Sequence, residues 1–464
     1  MTRIAWFTPI DSSPRGIPCH RTALLAKLGE RYTIDRFIDG LPGLENAPPR
    51  TFSAYDFVWK QIRHPYDLTI YDVADSCHYD FVWPYLVRYP GLVILHDERL
   101  HRSRSAMLLT RGLDDAYRAE FHYDHPEADP DMAELGVAGL LGETSELWPM
   151  RRVVIESSRL AVAPNAWVAR TLKTEASHDR LTVVEPGAPK VASSPELRER
   201  TRSLHGIDSD AVVFAMFGQL TPDRRVDQVW SALALLRHEQ PPLHLLICGE
   251  ANEMQRDALR RLGITDLVTW PIGAKASDPS EVLAAADVCV ALEWPSRRDA
   301  TTSLIESLAA AKPAIVTDLA DRVDIPALDP HDWQLRPLAT ADDELGDRTA
   351  EAACVSIDLL DESHSLCLAM SRLASDPPLR EKLSRGARHL WENRFSFDRL
   401  AREFAEVIQH ALETPLSDVR PPLLDHLRAD GTTHAKALLS PFGIAPSGLP
   451  DLAPASAHEG LSEP

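Results

Sequence analysis

The sequence predicts an α/β protein built from two doubly wound domains, and three observations carry that prediction. Short apolar runs alternate with longer segments of helical period, the pattern of a parallel sheet covered by helices on both faces. The alternation stops at the Pro-, Ser- and Ala-rich stretch "EPGAPKVASSPE" (185–196) and then begins again. The 464 residues, 44% hydrophobic and 25% charged, suffice for two or three domains of about 150 to 200 residues each.

In the first half, the apolar runs at 3–8, 32–38, 67–72, 91–95, 159–163 and 181–184 read as strands, with helices such as 20–30 and 78–88 between them. After the linker, strands are expected near 211–217, 243–248, 266–270, 287–292 and 313–317. Helices fall between them near 226–238, 252–262, 280–286 and 301–311, and three more follow at 363–375, 378–393 and 397–412. From 416 onward the chain is rich in Pro, Ala and Ser with weak periodicity, which predicts a disordered tail. The expected domains are therefore 1–190 and 197–396, with a tail at 416–464. The loops 39–52 and 112–148 carry little readable pattern.

Composition narrows the function. A formal charge of -20 repels nucleic acid and anionic membranes at long range, so any anionic ligand must meet a local basic cluster. The six cysteines form no CxxC pair, and Cys248 and Cys289 lie inside strand patterns, which favours a reducing compartment. The start, "MTRIAWFTPIDSS", reads as a strand and turn rather than a signal peptide. No apolar run approaches the roughly 18 to 20 residues that span a bilayer. A cytoplasmic protein is expected, with any membrane contact peripheral.

Two facing α/β domains leave a cleft at the carboxyl ends of their strands, where such sheets bind ligands. In the second domain, "FGQLTPDRRVDQ" puts Gly218 in a tight turn and Arg224 and Arg225 at the mouth of a helix. Guanidinium forks and a helix N-terminus together suit a phosphate, although one arginine pairing with Asp223 or Asp227 is the plainer reading. Further on, "WPSRRDATTSLIESLAAAKPAIVTD" (294–318) gathers Arg297, Arg298, Asp299, Thr301, Thr302 and Ser303 before another helix. Ser303 and Glu306 fit a capping box, and the same helix start fits a ligand site. In the first domain, His96 and Asp97 directly follow the strand "GLVIL", at the cleft if the sheet is parallel. "FHYDHPEAD" (121–129) has residues that bind metals, but a solvated polar loop is the simpler reading.

The order "FGQLTPDRR", "LLICGE", "VTWPIG", "VLAAADVCVALEWPSRRDATTSLIESLAAAKPAIVTD" resembles the C-terminal domain of glycosyltransferase family 4 (group 1), the retaining GT-B enzymes. "YDLTIYDVADSCHYDFVWPYLVRYPGLVILHDERLH" and "SIDLLDESHSLCLAMSRLASDPPLREKL" resemble a bacterial subgroup of that family, and the similarity of pattern spans about residues 1 to 412. The resemblance implies a GT-B fold, two Rossmann-like domains facing across a cleft, with 397–412 crossing back to the first domain. It implies a nucleotide-diphosphate-sugar donor held mainly by the second domain, with neither cofactor nor metal in the site. Arg224 falls where the family holds the donor diphosphate, Glu306 where it binds the ribose hydroxyls, and Gly16 where backbone approaches the phosphate. His96 matches a histidine close to the donor sugar. Eight residues before Glu306, where many members carry a first glutamate, stands Arg298. "DATTS" resembles the subgroup's Glu-Thr-Ser-Gly segment, with Asp299 in the acidic place, and Gln219 replaces a basic residue after the loop glycine.

Breaking a sugar–diphosphate bond leaves negative charge on the phosphate, which fixed positive charge stabilises. The expectation is a metal-independent, hexosyltransferase-like enzyme. Its expected catalytic residues are His96, Asp97 and Asp299, and its donor-binding residues Gly16, Gly218, Arg224, Arg225, Thr301, Thr302, Ser303 and Glu306. The acceptor would be a glycan or lipid-linked molecule of surface polysaccharide or glycoconjugate synthesis, the enzyme acting in the cytoplasm or at the inner membrane face. The alternative is a non-catalytic GT-B relative serving as a nucleotide-sugar-binding or assembly subunit. A nicotinamide oxidoreductase is disfavoured because no GxGxxG follows a strand.

Overall fold

The apolar runs do form parallel strands, and the central ones are buried on both faces. The computed structural model describes residues 1–9, 17–40, 47–175, 180–191, 194–217, 222–249, 251–270, 279–295, 302–319, 324–336, 351–416, 424–428 and 442–443. The first sheet holds β1 (Arg3–Phe7), β2 (Thr33–Ile38), β3 (Thr51–Ser53), β4 (Leu68–Val73), β5 (Leu92–Leu95), β6 (Leu160–Ala163) and β7 (Leu181–Val183). Their order is β3-β2-β1-β4-β5-β6-β7, all parallel. The second holds β8 (Val212–Phe217), β9 (Leu243–Cys248), β10 (Val268–Thr269), β11 (Val288–Ala291), β12 (Ala314–Thr317), β13 (Ala327–Leu328) and β14 (Cys354–Ile357), in the order β10-β9-β8-β11-β12-β14-β13. In each sheet the strand order reverses beside the first strand, between β1 and β4 and between β8 and β11. That is the switch point where a crevice opens outside the strand ends.

Side-chain alternation divides each core. On β1, Ile4 and Trp6 pack with Leu24, Ile70, Phe404 and Ile408 on one face. Ala5 and Phe7 pack with Phe37, Phe57 and Tyr71 on the other. The face of Ile4 and Trp6 is covered by helix Phe397–Glu413, through Leu400, Phe404, Ile408 and Ala411, so the chain returns to the first domain after completing the second.

The link between domains is double. Residues 185–191 run beside the segment before the returning helix, with Ala188 bridged to Ser396 and Trp391 Nε1 donating to the Ala188 carbonyl at 3.0 Å. Arg394 forks onto Glu185 and also pairs with Asp324 of the second domain.

The structure corrects several sequence expectations. Three strands, β3, β13 and β14, are additional; the first two have three and two residues, too short for alternation to show. The segment 78–88 is not one helix but a 3-10 turn, Cys77–Val82, followed by helix Trp83–Leu86. Pro84 lacks the amide an interior position needs and sits in the first turn of the new helix. The opaque loop 112–148 belongs to a helical insertion between β5 and β6, with helices His101–Leu109, Asp114–Asp124, Pro130–Val137 and Arg152–Ser157. Its own small core holds Leu108, Tyr117, Phe121, Ala133 and Met150. Most of the expected tail lies outside the described residues, but helix Asp425–Arg428 packs on the first domain: Leu427 is buried and His426 Nε2 lies 2.7 Å from Glu120 Oε1. No described helix is long and apolar enough to cross a membrane.

Candidate active site

On the first-domain side, His96 stands at the carboxyl end of β5, its amide donating to the Val73 carbonyl at 2.9 Å. Beside it lie two charged residues that the sequence reading did not single out. Arg21 Nη2 is 2.6 Å from Asp72 Oδ1 and 2.9 Å from His96 Nε2, and Asp72 Oδ1 is 3.0 Å from that same imidazole nitrogen. Trp6 Nε1 donates to the other Asp72 oxygen at 3.0 Å. Burial pushes the His96 pKa down and Arg21 adds to this, outweighing the pull of Asp72, so the ring is neutral at pH 7. Asp72 is pushed up by burial, but Arg21 and His96 more than reverse this and hold its carboxyl below the usual range. Arg21 is 6% exposed, yet its Nε and Nη1 are buried without a hydrogen-bond partner.

Signals for both residues were present in the sequence. Asp72 is an acid inside a run whose six residues are all buried, and such an acid requires a cation or donors nearby. Arg21 lies in helix Ile17–Leu28, five residues after Gly16 in the sequence.

On the second-domain side, Arg224 ends the 3-10 turn Pro222–Arg224 after β8, and its Nη1 is buried without a partner. The Trp294 amide donates to the Asp223 carbonyl at 2.7 Å, which ties the turn holding Arg224 to the connection leading from β11 towards helix Thr302–Ala309. Arg225 is occupied differently. It adopts a left-handed conformation (φ 55°) at the start of helix Val226–Leu236, and its guanidinium forks onto Glu362. That is an internal anchor, so of the two arginines only Arg224 has a buried nitrogen without a partner.

The capping box does not form. Ser303 lies within helix Thr302–Ala309, and its hydroxyl is buried without a partner, so it accepts nothing from the Glu306 amide. The hydroxyl expected to cap instead faces inward, and the Ser303 carbonyl accepts from Ser307 Oγ at 2.7 Å. Glu306 is half-buried on the same helix.

The two sides meet. A cavity of about 80 Å³, room for several water-sized groups, is lined by Arg21, His96, Pro164 and Phe404 on one side and Thr302 and Ile305 on the other. Asp97 is not among the lining residues; its carboxylate accepts the Asp75 amide at 2.7 Å and braces the loop after β4. Gly16, Gly218, Asp299 and Thr301 lie outside the described residues. In the segment 121–129, His125 packs against Phe121 and Trp148 with its Nε2 3.0 Å from Asp124 Oδ2, and Asp129 caps helix Pro130–Val137.

Residues 198–323, which contain Arg224, the Trp294 connection and helix Thr302–Ala309, match the family model of glycosyl transferases group 1. Across that segment the chain resembles group 1 glycosyltransferases. Over 284 residues the chain is 25% identical to a D-inositol 3-phosphate glycosyltransferase of Saccharomonospora viridis, covering 56% of this chain and 57% of that one. The same-named protein of Segniliparus rotundus is 26% identical over 213 residues, 40% of this chain and 46% of that one, so the chain spans about half the length of the curated relatives it matches. The fold is GT-B. Sucrose-phosphate synthase from Thermosynechococcus elongatus aligns with a TM-score of 0.60 at 14% identity, over 89% of this chain and 100% of that one. Anabaena HepE, solved in complex with UDP and glucose, aligns at 0.58 and 16% identity, over 88% and 100%.

Proposed function

We propose that this protein transfers a sugar from a nucleotide-diphosphate-sugar donor to an acceptor. The observation that carries the proposal is the buried, unpartnered Arg224 nitrogen, in a turn tied to the connection before helix Thr302–Ala309 and inside the group 1 segment. A guanidinium held at that place binds the donor diphosphate. It stabilises the charge that grows on the leaving phosphate, together with the amides at the helix start. Gly16 and Gly218 let backbone approach the phosphates, Glu306 takes the ribose hydroxyls, and Asp299, Thr301, Thr302 and Ser303 line the donor side. His96 contacts the sugar from the opposite wall, oriented by Asp72 and braced by the loop that Asp97 holds. Arg21, with two nitrogens unpartnered at the cavity, donates to a sugar hydroxyl or phosphate oxygen.

In this reading fixed arginines rather than a metal carry the leaving-group charge, and transfer proceeds with retention, as the family resemblance implies. The first domain selects a glycan or lipid-linked acceptor of surface glycoconjugate synthesis, in the cytoplasm or at the inner membrane face. The relatives named for D-inositol 3-phosphate and the HepE complex with UDP and glucose support a nucleotide-sugar chemistry.

Donor turnover tests the proposal. With a panel of nucleotide-sugars, nucleoside diphosphate release is expected for at least one donor, and Arg224→Ala is expected to slow it about 100-fold or more, the usual effect of removing one transition-state donor. No turnover across the panel, or rates unchanged in both Arg224→Ala and Glu306→Ala, would refute it. Tight binding without transfer would identify a non-catalytic relative.

A further inference from the structure

At the far edge of the second sheet, the turn after β13 and the connection after β14 bring together His331, Asp361 and His364. We infer that these three side chains bind a divalent transition-metal ion of the zinc type. His331 Nε2 and His364 Nδ1 lie 2.9 and 3.0 Å from the same oxygen, Asp361 Oδ2, and all three ligand atoms are within 4.8 Å of one another. Nitrogen and oxygen ligands about 2.0 to 2.1 Å from a tetrahedral zinc stand roughly 3.3 Å apart, so small rotations of exposed side chains close the set on an ion.

Two further features fit a metal better than a chance surface ion pair. His331 Nδ1 lies 2.8 Å from Asp329 Oδ1, and with the ring proton held there Nε2 exchanges its hydrogen bond to Asp361 for an ion bound between them. This is the carboxylate–histidine support that metal-bound imidazoles characteristically have. Asp361 also occupies the N-cap position of helix Glu362–Ser375, yet its carboxylate caps no amide of that helix. Its oxygen stands between the two imidazoles instead. The side chains are 41 to 64% exposed, which leaves the fourth position open to water.

A bound ion would fasten the Asp329–His331 turn to the start of the helix whose Glu362 grips Arg225. The site stands outside the proposed transfer chemistry, so its failure and that of the transferase reading are separable.

Calorimetric titration of the tag-free, chelator-stripped full chain with zinc, and the visible absorption of its cobalt form, test the inference. One saturable ion per chain is expected, weakened at least tenfold in His331→Ala and in His364→Ala and unchanged in the surface control His389→Ala. The near-isosteric Asp361→Asn should also weaken binding while leaving the melting temperature of the metal-free protein intact. Absence of saturable binding, or binding unaffected by all three substitutions, overturns it.

Discussion

Asp72 and Asp80 show two fates of a buried carboxyl. Asp72 accepts from Arg21, Trp6 and His96 within 3.0 Å and stays ionised. Asp80 is 9% exposed and its Oδ1 has no partner. Burial pushes its pKa from 3.8 up to about 6; Arg104 and Arg111 oppose this, and the like charges of Asp75 and Glu120 reinforce it. The fold therefore holds this proton more tightly than the unfolded chain does. Its contribution to stability is full below about pH 3.8 and is lost as the pH rises towards 6. Asp80→Asn is accordingly expected to stabilise the protein at pH 7.5, on the order of 1 kcal/mol, and to change little at pH 4, as read from urea midpoints at the two values. The candidate site is only half legible at this scale. His96 and Arg224 are visible because each follows a strand at its carboxyl end, where parallel sheets place ligands. The pairing of Arg21 with Asp72 and His96 is not legible because those partners come from other elements, and the fork of Arg225 onto Glu362 joins residues far apart in sequence.

At the scale of elements, burial rather than local preference decides helix boundaries. "TTSLIES" has a capping-box pattern, but Ser303 is inside the helix and buried, because Leu304, Ile305 and Leu308 turn that face into the core beside β11 and β12. The strands of continuous apolar character are legible, and the edge strands β3 and β13 are not, since three and two residues are too few for a period. Helix Pro377–Leu390 shows how closely these elements approach. A Cβ on Gly386 would lie 2.2 Å from the Ala352 carbonyl oxygen, in the backbone leading into β14. Because backbone gives way less easily than a side chain, Gly386→Ala is expected to destabilise by about 2 to 3 kcal/mol in denaturant unfolding. The glycine is needed there for space.

At the scale of the molecule, the restart of alternation after residue 185 makes two domains legible in sequence, and the double link explains how they are held. Residues 185–191 and 391–397 run side by side, with Arg394 tying the linker to the second domain. The helical insertion 101–157 resisted reading because most of its helices pack on one another around Tyr117 and Phe121, and only the short helix Arg152–Ser157 packs against the sheet, through Val153, Val154 and Ile155. The same holds for 424–428, a short segment ordered by Leu427 and His426 rather than by its own period. A net charge of -20 makes the buried Arg21 and the half-buried Arg224 the local exception that an anionic donor requires. The most direct test of this account is the thermal stabilisation of the full chain by a panel of nucleoside diphosphates, measured on the wild type and on Arg224→Ala. At least one diphosphate is predicted to stabilise the fold by RT ln(1 + [L]/Kd) and so to raise the melting temperature, with an affinity at least tenfold weaker in the variant. No stabilisation by any diphosphate, or equal stabilisation of both proteins, would contradict the assignment of the donor to Arg224 and the second domain.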